Sequence, residues 1–302
     1  MIKRTILLGN PCRLALRLDQ LLIQYNHITG QEDMADRTVP IEDLGVIILE
    51  HEQITLTHPV MNKLVEYNVG LVCCNERKLP TGLLLNLDGN SVQQERFEAQ
   101  INASEPLRKQ LWQQTVKAKI LNQASLLKQL QRDTTYLLEL ARQVRSGDAD
   151  NCEAKAASYY WQRLFSPSWN FVRHREGPPP NNLLNYGYAI LRALTARALI
   201  GSGLLPTLGI FHRNRYNAYC LADDIMEPYR PFVDAVVAGI LSKTSHIHEL
   251  NNELKVPLLK IPQLDVMIDG KKSPLMVAMS RTTASLANCY LGHARKIIYP
   301  EL

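Results

Sequence analysis

Ser91-Val92-Gln93-Gln94, with Ser104-Glu105-Pro106-Leu107 after it, is where the chain changes its hydrophobic period. The first stretch fits a capping box, in which a serine oxygen accepts from a backbone N–H one turn on and a glutamine reaches back. The second pairs a serine cap with a proline in the first helical turn, where an N–H has no helical partner anyway. Beyond it Leu107, Leu111, Ala118 and Leu121 recur at helical spacing and predict one buried face. Further helices are expected over residues 152–165, 183–200 and 232–241, separated by Pro178-Pro179-Pro180, by the glycine-bounded stretch 201–209, and by Pro228 and Pro231. Upstream the period is two. Leucines alternate through Arg13-Leu14-Ala15-Leu16-Arg17-Leu18-Asp19, and Val46-Ile47-Ile48-Leu49 and Leu71-Val72-Cys73-Cys74 are short apolar runs bounded by turn residues. One short helix is expected over 59–67, with Pro59 at its start. The expected fold is α+β: a small N-terminal strand-rich domain over residues 1–90, followed by a larger all-α domain over 91–302.

A chain of 302 residues with 46% apolar composition can bury one large core or two medium ones, and is not a disordered polymer. Lysine and arginine number 34 against 29 acidic residues. The excess is uneven: residues 1–90 hold 8 basic and 11 acidic side chains, a balance of −3, which leaves +8 for the rest. A phosphate-binding surface therefore belongs after residue 90, and the near-neutral front suits protein contact better. Six cysteines lack Cys-x-x-Cys spacing and are read as reduced and mostly buried, Cys73-Cys74 included. The apolar start ends at Gly9-Asn10-Pro11, too early for a signal peptide, and the longest apolar region, 188–211, is cut by Arg192 and Arg197. A soluble, cytoplasmic protein is expected. No Gly-rich phosphate loop with Lys-Ser/Thr and no Gly-x-Ser-x-Gly elbow occurs, which removes the usual markers of nucleotide hydrolysis and serine acyl transfer.

Three segments can carry chemistry. His212 stands in Gly209-Ile210-Phe211-His212-Arg213-Asn214-Arg215-Tyr216-Asn217, where arginines, asparagines and a tyrosine surround an imidazole. That texture suits phosphate contacts beside a metal ligand, or simply a loop histidine on a basic surface. Asp224 and Glu227 lie three apart, a spacing that on a helix brings both carboxylates to one face, able to hold a hard divalent cation or to form a solvated acidic helix end. Met226, Tyr229 and Phe232 interleave with them, so the segment cannot be wholly solvated. Glu153 closes Asp150-Asn151-Cys152-Glu153, a pattern that equally describes a helix cap, ahead of a small-residue surface and the aromatic block Tyr159-Tyr160-Trp161. His246-x-His248, with no further Cys or His nearby, is read as surface.

Taken in order, these segments resemble the CRISPR spacer-acquisition integrase family, Cas one. The family's pattern is a glutamate on a helix, a Gly-x-x-His segment, and a helix of the form Asp-x-x-Glu-Pro-x-Arg-Pro. The chain shows Glu153-Ala154, then Gly209-Ile210-Phe211-His212, then Asp224-x-x-Glu227-Pro228-Tyr229-Arg230-Pro231, with Asn185-Tyr186-Gly187-Tyr188 similar to the family's core helix. Ala154 stands where many relatives have glycine. The resemblance implies that Glu153, His212 and Glu227 are catalytic metal ligands for Mg2+ or Mn2+, with Asp224 a supporting carboxylate. It implies that the second domain is the catalytic, DNA-binding one, and that a prespacer 3′-hydroxyl is joined to the leader-repeat of a CRISPR array by transesterification. Arg173, His174 and Arg175, with Arg213 and Arg215, become candidate DNA-backbone contacts. The implied partners are DNA, a second copy of the chain in a homodimer formed through the strand-rich domain, and the small Cas two protein in a hetero-hexameric integrase. Length and the Phe-His-Arg-Asn-x-Tyr-Asn texture look most like the branch serving single-effector, type II systems, whose effector nuclease is a further partner. A metal-dependent repair nuclease for branched DNA and a non-catalytic DNA-binding scaffold remain as alternatives.

Overall fold

Alternation in one strand and an unbroken apolar run in another define the layers of the N-terminal unit. The computed structural model describes residues 3–25, 35–76, 78, 80–244, 247 and 249–302, so His246 and His248 lie outside the described residues. The chain divides into two compact units, Met1–Gly89 and Asn90–Leu302. The first contains β1 (Arg4–Leu8), β2 (Cys12–Arg17), β3 (Gln20–Tyr25), β4 (Arg37–Pro40), β5 (Leu44–Leu49), β6 (Thr55–Leu56), α1 (His58–Glu66), β7 (Gly70–Cys74) and β8 (Pro80–Leu84). One sheet has the order β1-β5-β7-β8, with β5 parallel to both neighbours, and the other the order β4-β3-β2-β6. All six residues of β5 are buried, as a central parallel strand covered on both faces requires. In β2, Cys12 and Leu14 face a core shared with Leu21, Ile47, Val60 and Leu64, while Arg13 points out.

Two readings of this unit need correction. The leucine alternation stops at Leu16: Leu18 is 88% exposed and forms, with Asp19, the β2–β3 turn at φ 49° and 57°. Positive φ at both central residues matches the right-handed twist of the hairpin. Cys73 is exposed and Cys74 half-buried, because the buried stretch of β7 ends at Val72.

The second unit contains α2 (Gln93–Ile101), α3 (Glu105–Gln129), α4 (Thr135–Gln143), α5 (Cys152–Leu164), α6 (Asn181–Gly201), α7 (Cys220–Met226), α8 (Arg230–Leu241), α9 (Asn252–Leu259) and α10 (Leu275–Tyr290). Among its described residues a small sheet is added to the helices, ordered β10-β9-β11 from β9 (Asp265–Ile268), β10 (Lys271–Pro274) and β11 (Pro300–Glu301). Ser104 caps α3 by accepting from Leu107 N. Ser91 caps nothing: α2 begins one residue after Val92, whose N–H donates to Asn90 Oδ1. The buried face of α3 also differs from the expected one. Leu111, Trp112, Thr115, Val116, Lys119 and Ile120 point inward while Leu121 is exposed, because α4, α5, α7 and α8 all pack against α3 and cover more than one stripe. No described helix is long and apolar enough to cross a membrane.

α6 is largely buried, and Gly187 is where it meets α8: a Cβ there would stand 2.4 Å from Val233 Cγ1. Behind that contact Asp234 on α8 accepts from Tyr160 on α5 at 2.8 Å and from Tyr188 on α6 at 2.5 Å, fully inside the core. One carboxylate thus ties together three helices. Burial lifts the Asp234 carboxyl to about 6, against the two tyrosine hydroxyls and Arg230, which work to lower it. Its native pKa exceeds the unfolded 3.8, so the folded state keeps a proton that the unfolded chain releases first. The stability of the wild type relative to Asp234→Asn should therefore fall as pH rises from about 4 to about 6 and stay level above, measured by urea unfolding. Asp234→Ala, which strands two buried hydroxyls, should cost about 2–4 kcal/mol at pH 7.

Candidate metal centre

Glu153 enters the site from the first turn of α5. The cap of that helix is made by Asp148, which accepts from Cys152 N at 2.9 Å and from Glu153 N at 3.0 Å, while Asp150 pairs with Arg145 at the surface. The carboxylate of Glu153 is thereby spared a capping role and reaches α3, where its Oε1 lies 2.6 Å from Lys119 Nζ. Glu227 arrives from another direction. α7 ends at Met226 and the chain tightens into a 3₁₀ turn, Glu227–Tyr229, fixed by Pro228 and by Asn122, whose Nδ2 donates to Pro228 O at 2.8 Å. There Glu227 Oε2 is also 2.6 Å from Lys119 Nζ, and Oε1 is 2.9 Å from Arg230 Nε. The two glutamates, far apart in sequence, converge on one ammonium.

Asp224 does not join them. Its carboxylate is wholly buried and turns to the 209–217 loop, accepting from Phe211 N at 2.9 Å and from His212 Nδ1 at 2.5 Å. Asp224 and Glu227 therefore turn their carboxylates to different partners, the first to the 209–217 loop and the second to Lys119 and Arg230. Asp224 instead fixes the imidazole: with Nδ1 donating, the Nε2 lone pair is the one left available. Trp112 stacks on Phe211 at 4.4 Å and meets the His212 ring edge-on at 5.8 Å, bracing it from α3. Gly209 permits the loop's return: a Cβ there would stand 2.3 Å from His212 O and 2.9 Å from Asp224 Oδ2.

Electrostatics follow from this packing. Burial works to raise the Glu227 carboxyl, but Arg230 and Lys119 override it and hold the group below the ordinary range. Burial works to lower the Lys119 ammonium, and Glu227 and Glu153 override that, leaving it raised. The hydrogen bond to Asp224 raises His212, with burial opposing, while burial itself pushes Asp224 up. Glu227 Oε2 is fully buried and its contact there is the Lys119 ammonium, an ion pair in place of solvent.

Of the residues singled out in the sequence, Glu153, His212 and Glu227 line one locality, and the pull of both glutamates is felt at His212. Among the described residues no three His, Cys, Asp or Glu side chains stand as a ready-made cage, because the Lys119 ammonium separates the carboxylates. Two converging carboxylates and a neutral imidazole nitrogen suit a hard divalent cation. Arg213 and Arg215 are exposed beside His212, and Arg213 opens onto two clefts of about 410 and 310 Å3 that also share Arg108. The Arg173 guanidinium is engaged, donating to Asn181 and Asn185 side chains at 2.9 Å and lying over the Tyr188 ring. His174 and Arg175 are exposed next to it.

Lys119, Arg108 and Trp112 were not singled out in the sequence. Lys119 did carry a signal, as a lysine inside an otherwise inward-facing helical stripe.

The overall fold is the one shared by solved Cas1 and casposase structures. A casposase bound to integration product superposes with a TM-score of 0.81 at 18% identity, covering 97% of this chain and 92% of the other. A Cas1 protein from Thermotoga maritima gives 0.77 at 15% identity, covering 96% and 97%. The sequence matches the family described as CRISPR associated protein Cas1 over residues 6–251, and is 38% identical to a CRISPR-associated endonuclease Cas1 of Neisseria meningitidis across all of this chain and 97% of that one. The chain belongs to the Cas1 family.

Gly209→Ala is expected to lift His212 off Asp224. In an NMR titration the His212 pKa should then drop back toward that of a free imidazole, with circular dichroism unchanged.

Proposed function

We propose that this chain is a metal-dependent DNA integrase of CRISPR adaptation, joining prespacer 3′-hydroxyl ends into the leader-repeat of a CRISPR array. The observation that carries this reading is the convergence of Glu153 and Glu227, from separate segments, on one cationic position beside His212. The Neisseria meningitidis relative, named an endonuclease, and the casposase structure with its integration product both support it. Glu153, Glu227 and His212 Nε2 would hold Mg2+ or Mn2+, and Asp224 supports the imidazole. Bound there, such an ion neutralises charge on a pentavalent phosphate and sharpens a hydroxyl nucleophile.

The chain's own groups have distinct tasks. Asp224 keeps the His212 tautomer with Nε2 unprotonated. Arg230 holds Glu227 ionised in the core. Arg213 and Arg215, displayed on the loop that carries His212, grip backbone phosphates of the target strand, with Arg108 between the two clefts and His174 and Arg175 further along. Arg173 organises the loop that presents those two. The partners proposed are DNA, a second copy of this chain, and a Cas2 protein in a hetero-hexamer; a solved Cas6-RT-Cas1–Cas2 complex contains a chain of which this fold covers 36%, with a TM-score of 0.76. The type II branch, with its effector nuclease, is the proposed setting.

His212→Ala and Glu227→Gln should each abolish joining of labelled DNA ends into a CRISPR-array plasmid, a loss of at least about 10³-fold, with a cooperative melt retained. Joining by either variant at wild-type level removes the metal-site assignment, and cutting without joined product favours a repair nuclease. Asp224→Asn, which can donate to Nδ1 and so favours the other tautomer, should weaken Mn2+ affinity about 10–100-fold in a calorimetric titration.

A further inference from the structure

Lys119 is the element of the site that the metal reading leaves without a role. It stands mid-helix on α3, its side chain is 11% exposed, and its Nζ lies 2.6 Å from an oxygen of Glu153 and 2.6 Å from an oxygen of Glu227. Those oxygens are therefore no further apart than twice that distance, a separation at which a buried and a half-buried anion repel unless a positive charge lies between them. Arg230 cannot serve both: it contacts Glu227 alone and is directed by the Tyr188 ring, 4.7 Å from its guanidinium centre. Lys119 alone among the described cations is placed against the two carboxylates together.

We propose that Lys119 is a positioning residue, an internal cation that holds Glu153 and Glu227 in converged geometry while the metal is absent and swings off at least one of them when a divalent ion enters. The inference rests on the metal-centre reading above. An ammonium is a compact, strongly hydrated point charge on a flexible stem, so it can bridge carboxylates and still leave, which a guanidinium locked in a bidentate pair does less readily. The same position cannot hold both cations within contact of the same oxygens. Metal binding is then an exchange of one positive charge for another, and metal-free protein is spared the collapse or swelling of an uncompensated acidic pocket.

The test compares full-length wild type with Lys119→Met, which keeps the stem and deletes the charge, in EDTA and in excess Mn2+. The variant should melt about 5–10 °C below wild type in EDTA, and Mn2+ should close most of that gap. Calorimetry should show Mn2+ bound about tenfold more tightly by the variant, because no internal competitor has to be displaced. An equal melting deficit with and without Mn2+, or an affinity that is unchanged or weaker, overturns the proposal and makes Lys119 a purely structural contact. Wild type that binds no Mn2+ at all would instead overturn the metal-centre reading, and this inference with it. Should Lys119→Met not fold, the wild type gives the answer by reductive methylation read out by mass spectrometry. Lys119 should be protected in EDTA, and Mn2+ should raise its labelling about tenfold relative to exposed Lys128; labelling that does not respond overturns the proposal.

Discussion

Two carboxylates aimed at one buried point cannot coexist without a cation, and the second unit is arranged around that requirement. α3 brings Lys119 to the point, the 3₁₀ turn after α7 brings Glu227 and Arg230, and the capped start of α5 brings Glu153. Each arm is held by hydrogen bonds made outside the charged centre. Asn122 clamps the turn through Pro228 O and the C-terminal segment through Pro300 O, and Asp234 fastens α5 and α6 to α8 through two tyrosine hydroxyls. A hydrophobic packing of helices would have sufficed to hide apolar surface; these buried polar ties set the relative placement of the chemistry-bearing turns.

The broad layout was legible because periodicity reports burial directly. The apolar run 46–49 of β5, the alternation in β2, and the extents of α5, α6 and α8 all follow from one-dimensional patterns, and the structure places them within a few residues. Where the reading strayed, a third dimension decided. Leu18 continues the alternation in sequence but occupies a hairpin turn, and α3 is wrapped by so many neighbours that a single stripe could not describe its buried face.

The site was half legible. His212, Glu153 and Glu227 could be picked out by residue type and by likeness to an ordered family pattern, since a glutamate, a histidine and a Glu-Pro turn are all visible as letters. Their arrangement was not. Helical spacing put Asp224 beside Glu227, but the carboxylates have different partners, one on the 209–217 loop and the other on α3. The Asp-x-x-Glu pattern points to Asp150 as the cap of α5 when Asp148 makes it, because a left-handed Asn151 and a turn through Gly147 shift the accepting carboxylate by two positions. Lysine within an apolar stripe reads as an interruption until the partners on two other elements are seen.

The neighbouring aspartates in the middle of α7 have a consequence for how the protein would meet a nucleic-acid strand. Asp224 takes hold of the 209–217 loop at Phe211 and His212, and Asp223, paired with Arg192 at 2.7 Å, takes hold of it again by accepting from Asn217. The arc between those moorings carries Arg213 and Arg215 and is too short to wander. Under the proposed function, a phosphate held there would be set off from the imidazole by a fixed length of backbone, so the loop would work as a ruler as well as a clasp, and a strand held one nucleotide out of place would present no bond to the centre.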